Sequence, residues 1–180
     1  MGAPNTAERA VRTGLRMSQN DFVRADLTSP MSSLATPTPR PLEVRGSHEG
    51  VWLSRYQYHS SGRGESFAGQ HLVVILQHGD RLTVRSLPGS AASSLSMDLT
   101  VDDAVVTGTW VEQTDPTGYY WGARYHGAIQ LLVEPTGRRM AGKWVGFGRD
   151  MDVNTGPWKL TFRDASTSKE TLDRYDTSPE

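Results

Sequence analysis

Three stretches of this chain alternate apolar and polar residues with a period of two, and that alternation narrows the available folds more than any other feature. Leu95, Met97, Leu99 and Val101 fall on one side of the run from Ser94 to Val101. Tyr125, Gly127, Ile129, Leu131 and Val133 make a second row, opposite Arg124, His126, Gln130 and Glu134. Trp158, Leu160 and Phe162 make a third, opposite Lys159, Thr161 and Arg163. Successive side chains of a strand point to opposite faces, so one dry face and one wet face mark an antiparallel sheet.

Less regular β-rich runs fill the space between. Val51 to His59 reads as a first strand and His71 to Gln77 as a second. Arg81 to Leu87 follows the His78-Gly79-Asp80 turn, Val105 to Gln113 follows Asp102-Asp103, and Arg139 to Phe147 follows Pro135-Thr136-Gly137. The last triplet suits a turn because Pro sets φ and Gly accepts φ > 0. Eight hairpin-linked strands without an intervening helix predict an all-β, eight-stranded antiparallel up-and-down barrel, whose closure removes exposed edges. A two-sheet β-sandwich is the alternative. Gly108, Gly127, Gly142 and Gly146 lie within strands, where they permit the tight bends of a small barrel.

The chain divides by composition. Residues 1–48 hold Pro4, Pro30, Pro37, Pro39 and Pro41, half of the prolines, with no tryptophan or tyrosine. This stretch reads as a disordered or weakly helical N-terminal arm, with Thr6 to Arg16 the helical candidate, leading into a Pro-rich linker. All five tryptophans and five of the six tyrosines fall between Trp52 and Trp158, which assigns residues 49–164 to the barrel. Residues 165–180 read as a polar, mobile tail with at most a helical turn near Thr171 to Tyr175.

A formal charge of −1 gives no electrostatic pull towards nucleic acid, so no direct nucleic-acid binding is expected. The absence of cysteine excludes a disulfide framework, a thiolate metal site and a cysteine nucleophile. No apolar run approaches the length of a membrane-spanning helix, and the N-terminus lacks the apolar core of a secretory signal, so the expected location is cytoplasmic.

Chemistry-bearing residues are few. No serine stands in a Gly-x-Ser-x-Gly elbow, and Asp102 and Asp103 read as turn formers. Glu112 and Glu134 lie on different strands, with nothing in the sequence to bring them together. None of the five histidines stands out by context; His71 reads as the opening of a strand. No catalytic set, metal site or cofactor is therefore expected, and an enzyme is the least favoured of three readings, after a ligand-binding barrel and a protein-interaction module with a filled core. Asp-Pro and Thr-Gly frame the consecutive aromatics Tyr119, Tyr120 and Trp121, which cannot all face a core; they are the candidate partner-binding patch. Trp110, Tyr120, Tyr125, Trp144 and Trp158 are the candidate lining of a site for a small apolar or aromatic ligand. Ser60 to Glu65 reads as a flexible connection.

Gly50-Val51-Trp52 resembles the Gly-x-Trp that opens lipocalin and other calycin barrels. That likeness implies a calycin-like barrel with Trp52 as a structural plug and a basic residue, Lys159 or Arg163, across its indole. Gly142-Lys143-Trp144-Val145-Gly146-Phe147-Gly148 has the letters of the nitrobindin-type haem barrels, but late in the chain and without a histidine placed as axial ligand. A broader likeness runs from Gly50 to about Lys169. It is carried by Gly50 to Tyr56, Ser60-Ser61-Gly62-Arg63, Gly108-Thr109-Trp110 with Glu112, and Pro116-Thr117-Gly118-Tyr119-Tyr120. Tyr125-His126-Gly127, Gly142 to Gly148, Asn154-Thr155-Gly156 with Trp158, and Ser166 to Lys169 complete it. These residues resemble the C-terminal domain of bacterial XRE-type helix-turn-helix regulators. The resemblance implies a non-catalytic sensing domain that tunes a DNA-binding partner, without the five-helix DNA-binding region that residues 1–48 cannot supply.

Overall fold

The alternation settles into a single closed sheet. The computed structural model describes residues 46–60, 62–148 and 151–179; the N-terminal arm and Pro-rich linker, up to residue 45, lie outside them. Eight strands follow in order: β1 Gly50–Ser60, β2 Glu65–His78, β3 Arg81–Ser86, β4 Ser94–Asp102, β5 Val105–Gln113, β6 Arg124–Val133, β7 Arg139–Phe147 and β8 Val153–Asp164. Each pairs antiparallel with the next, and β8 returns to β1 through pairs such as Tyr56 with Trp158, closing an up-and-down barrel. The sandwich alternative is thereby excluded, because no edge separates two sheets.

The three sequence rows point inward. Leu95, Ile129 and Leu160 are all buried, with Met97, Leu131 and Met140 beside them. Burying such side chains contributes about 1.5–3 kcal/mol each, the main favourable term in holding the barrel. The interior is layered. At the end where β1 begins, Trp52 is fully buried; its indole Nε1 donates to the His48 carbonyl at 2.9 Å, and Phe162 meets it edge-on at 5.4 Å. Lys159 and Arg163, expected across the indole, instead occupy outward positions on β8, exposed to solvent. The aromatic edge of Phe162 takes that place, with Arg138 stacked 4.7 Å from its ring. Gly50 sits at φ +137°, with Asp164 backbone so close that a Cβ would overlap it, which is why glycine opens this strand.

Two elements extend beyond their sequence-read limits. β2 begins at Glu65, six residues before His71, and β8 begins at Val153. Both extensions run along already formed neighbours, Ser60 pairing with Glu65 and Phe147 with Val153. Beyond β8, α1 spans Lys169–Tyr175, with Ser168 as N-cap accepting from the Thr171 amide. Leu172 and Tyr175 pack on an outward apolar patch of Val51, Leu53, Leu72 and Leu87. So short a helix is unstable alone; the patch and the Arg174–Asp164 ion pair at 2.9 Å hold it to the barrel wall. Among the described residues no helix is long and apolar enough to cross a membrane.

Candidate functional site

The end of the barrel opposite Trp52 stays open. β1, β3, β5 and β7 finish there, so residues 62–64, 87–93, 114–123, 148 and 151–152 lie around its rim. A cavity of about 720 Å³ descends from this mouth. Trp110, Tyr120, Tyr125, Trp144 and Trp158, the residues predicted to line a ligand site, all contribute to its wall, together with Tyr56 and Tyr58.

Each ring is held by neighbours. Trp158 donates its indole N–H to Ser54 Oγ at 2.8 Å and stacks on Tyr56 at 4.5 Å. Trp144 donates to the Gln57 carbonyl at 3.0 Å and meets Trp110 edge-to-face at 5.3 Å. Trp110 fits because β6 and β7 carry glycine opposite it: a Cβ on Gly146 would lie 2.8 Å from its ring. Its own indole N–H has no hydrogen-bond partner among the described residues.

The three consecutive aromatics are split by the loop. Tyr120 turns inward, donates its hydroxyl to Ser60 Oγ at 2.8 Å and packs edge-on against Tyr125. Tyr119 lies half out, with the Arg63 guanidinium 4.0 Å from its ring centre. Trp121, at φ 54°, is 83% exposed. The predicted partner patch is therefore two side chains facing solvent and one facing the cavity.

The sequence reading missed the polar floor of the cavity. Tyr56 donates its hydroxyl to Glu112 Oε1 at 2.7 Å, and Ser93 donates to the same oxygen at 2.8 Å. His71 Nε2 lies 3.3 Å from the Tyr56 oxygen and 3.7 Å from Glu112 Oε1. Because the Tyr56 proton is given to Glu112, the Nε2–H of His71 faces the Tyr56 oxygen as donor, and its Nδ1 has no partner among the described residues. Burial opposes ionisation of Glu112, but the donors from His71, Tyr56 and Ser93 outweigh it and hold the carboxyl below its ordinary range. Burial pushes the Tyr56 phenol far upward, and the neighbouring Glu112 charge adds to this, so Tyr56 stays a donor.

No protein-family model matches this chain, and no curated protein matches it. The site therefore rests on its own geometry.

His71, read as a strand opening, is the seventh residue of β2 and points inward, 1% exposed. Glu112 shares an inward row with Trp110, two residues before it, and Tyr56 shares one with Trp52. That parity was the available signal for both. Glu134 follows β6 at the opposite end of the barrel, so the two glutamates do not meet. No cluster of three or more metal-ligating side chains occurs among the described residues.

Proposed function

We propose that this barrel is a non-catalytic small-molecule-binding module whose ligand enters at the open mouth. One observation carries the reading: the interior is packed around Trp52 at one end and leaves about 720 Å³ open at the other. That volume is within the range of small-molecule sites, and an apolar aromatic wall with a few convergent polar groups is their usual composition. Ser93 is hydrogen-bonded to Glu112, as a nucleophile would be to a base. A carboxylate stabilised in its ionised form by several donors is a weak base, however, which favours binding over catalysis. The likeness to effector domains of XRE-type regulators supports a sensing role acting through a DNA-binding partner protein. The test is a thermal-shift and native mass spectrometry screen with small aromatic compounds. Binders should raise the thermal midpoint and quench the cavity indoles; a library without a single binder overturns the reading.

A protein-interaction module is the second reading, favoured by the rim. Trp121, Met151, Val153 and Phe147 are 83%, 80%, 66% and 52% exposed around the mouth. In that case Trp121→Ala abolishes capture of a partner while leaving the thermal midpoint unchanged. Retained capture removes this reading.

A further inference from the structure

The charge along the cavity wall is negative, with the Arg63 guanidinium held outside it at the rim. Glu112 and Asp115 line the cavity, and among the described residues no lysine or arginine does. The hydrogen bonds to Glu112 from Tyr56 and Ser93 both end on Oε1, and His71 also approaches that oxygen. None of these three contacts is made at Oε2. Tyr56 and Ser93 are neutral donors, so they stabilise the negative charge without cancelling it. His71 lies behind Oε1, 1% exposed, with its Nε2 shared with the Tyr56 oxygen, and it favours the ionised carboxyl from the side away from the cavity.

Around this carboxylate the wall is rich in aromatic rings, among them Tyr56, Trp110, Tyr125 and Trp158, and the face of an aromatic ring is the negative part of its quadrupole. An anion would meet repulsion from the carboxylate and from each ring that presents its face. A neutral ligand would cover a largely desolvated charge without balancing it, which is costly. A cation satisfies both features at once, through an ion pair and cation–π contact. The rim already holds such a group: the Arg63 guanidinium lies 4.0 Å from the ring centre of Tyr119 and 5.5 Å from that of Tyr120.

We infer that this cavity, on the ligand-binding reading above, takes an organic cation. Its ammonium or guanidinium group sits on the second oxygen of Glu112, and its apolar or aromatic body lies against Trp110, Tyr125 and Trp158.

Tryptamine, tryptophol and indoleacetate share one ring system and differ in carrying an ammonium, a hydroxyl or a carboxylate. Calorimetric titration of the full chain with each, near neutral pH, should rank tryptamine roughly tenfold or more tighter than the other two. In Glu112→Gln, tryptamine should fall to the affinity of tryptophol, while tryptophol is unchanged. Tryptophol or indoleacetate binding the native protein as tightly as tryptamine overturns the inference and leaves the ligand-binding reading standing. A folded Glu112→Gln variant that keeps the ammonium preference also overturns it. The ranking on the native protein decides the matter should the variant not fold. Silence from all three while the wider library still yields binders sinks the inference alone; silence from the library as well removes both.

Discussion

The Tyr56 hydroxyl donates a 2.7 Å hydrogen bond to Glu112 Oε1, joining residues 56 positions apart in the chain. They stand on β1 and β5, four strands apart in a ring of eight, so the bond crosses the interior rather than running along the sheet. Below it the barrel is filled; above it lies the cavity.

This bond makes stability depend on pH in a definite direction. The folded-state pKa of Glu112 lies below the ordinary 4.5, so the unfolded chain takes up the proton first on acidification. The carboxylate's contribution is complete above that ordinary value and is lost as pH falls through the lower folded value. Urea unfolding near neutral pH should show Glu112→Gln less stable by about 1–2 kcal/mol, the scale of a charge-assisted hydrogen bond. The gap between variant and native protein should narrow progressively under acid.

Tyr56→Phe keeps the ring stacked on Trp158 and removes the donor to Glu112. The expected cost is about 1–2 kcal/mol. The Glu112 carboxyl, followed by carbon NMR, should titrate at higher pH than in the native protein, because one of the donors that favour its ionised form is gone.

Gly146→Ala tests the fit of Trp110 into the wall. The added Cβ would lie 2.8 Å from the indole ring and 3.1 Å from the His126 carbonyl, so a rigid ring or the backbone must move. Overpacking of this kind costs about 1–3 kcal/mol. The near-ultraviolet circular dichroism of the coupled Trp110–Trp144 pair should change along with the thermal midpoint.

Removing residues 168–180 uncovers the apolar patch of Val51, Leu53, Leu72 and Leu87. The truncated chain should lose about 2–3 kcal/mol of stability, the scale of two partly buried apolar side chains, Leu172 and Tyr175, and should self-associate on size-exclusion chromatography. Leu172→Ala alone should cost about 1–2 kcal/mol.

Trp121→Ala and Trp52→Ala bracket the tryptophans. Trp121 is 83% exposed and its truncation should leave the thermal midpoint within a degree or so of native. Trp52 is fully buried, and its truncation should cost about 3–5 kcal/mol in chemical unfolding.

The alternation around Leu95, Ile129 and Leu160 was readable because strand periodicity is a property of neighbouring residues. The tail was harder. Its residues are mostly polar, and the apolar cover they supply makes sense only beside Val51-Trp52-Leu53 and Leu72-Val73-Val74-Ile75, runs that are apolar on both faces. Continuous apolar runs of this kind signal burial on both sides of a strand, and they were the sequence trace of α1.

The sequence by itself determined the strands, their inward rows and the aromatic wealth of the interior, since each depends on local order and side-chain type. The closed tertiary structure alone decided that Tyr56, His71, Ser93 and Glu112 meet, and that three adjacent aromatics separate into wall and rim. Which inward residues face one another is set by strand register and ring closure, which act between distant segments of the chain and leave no mark on local periodicity.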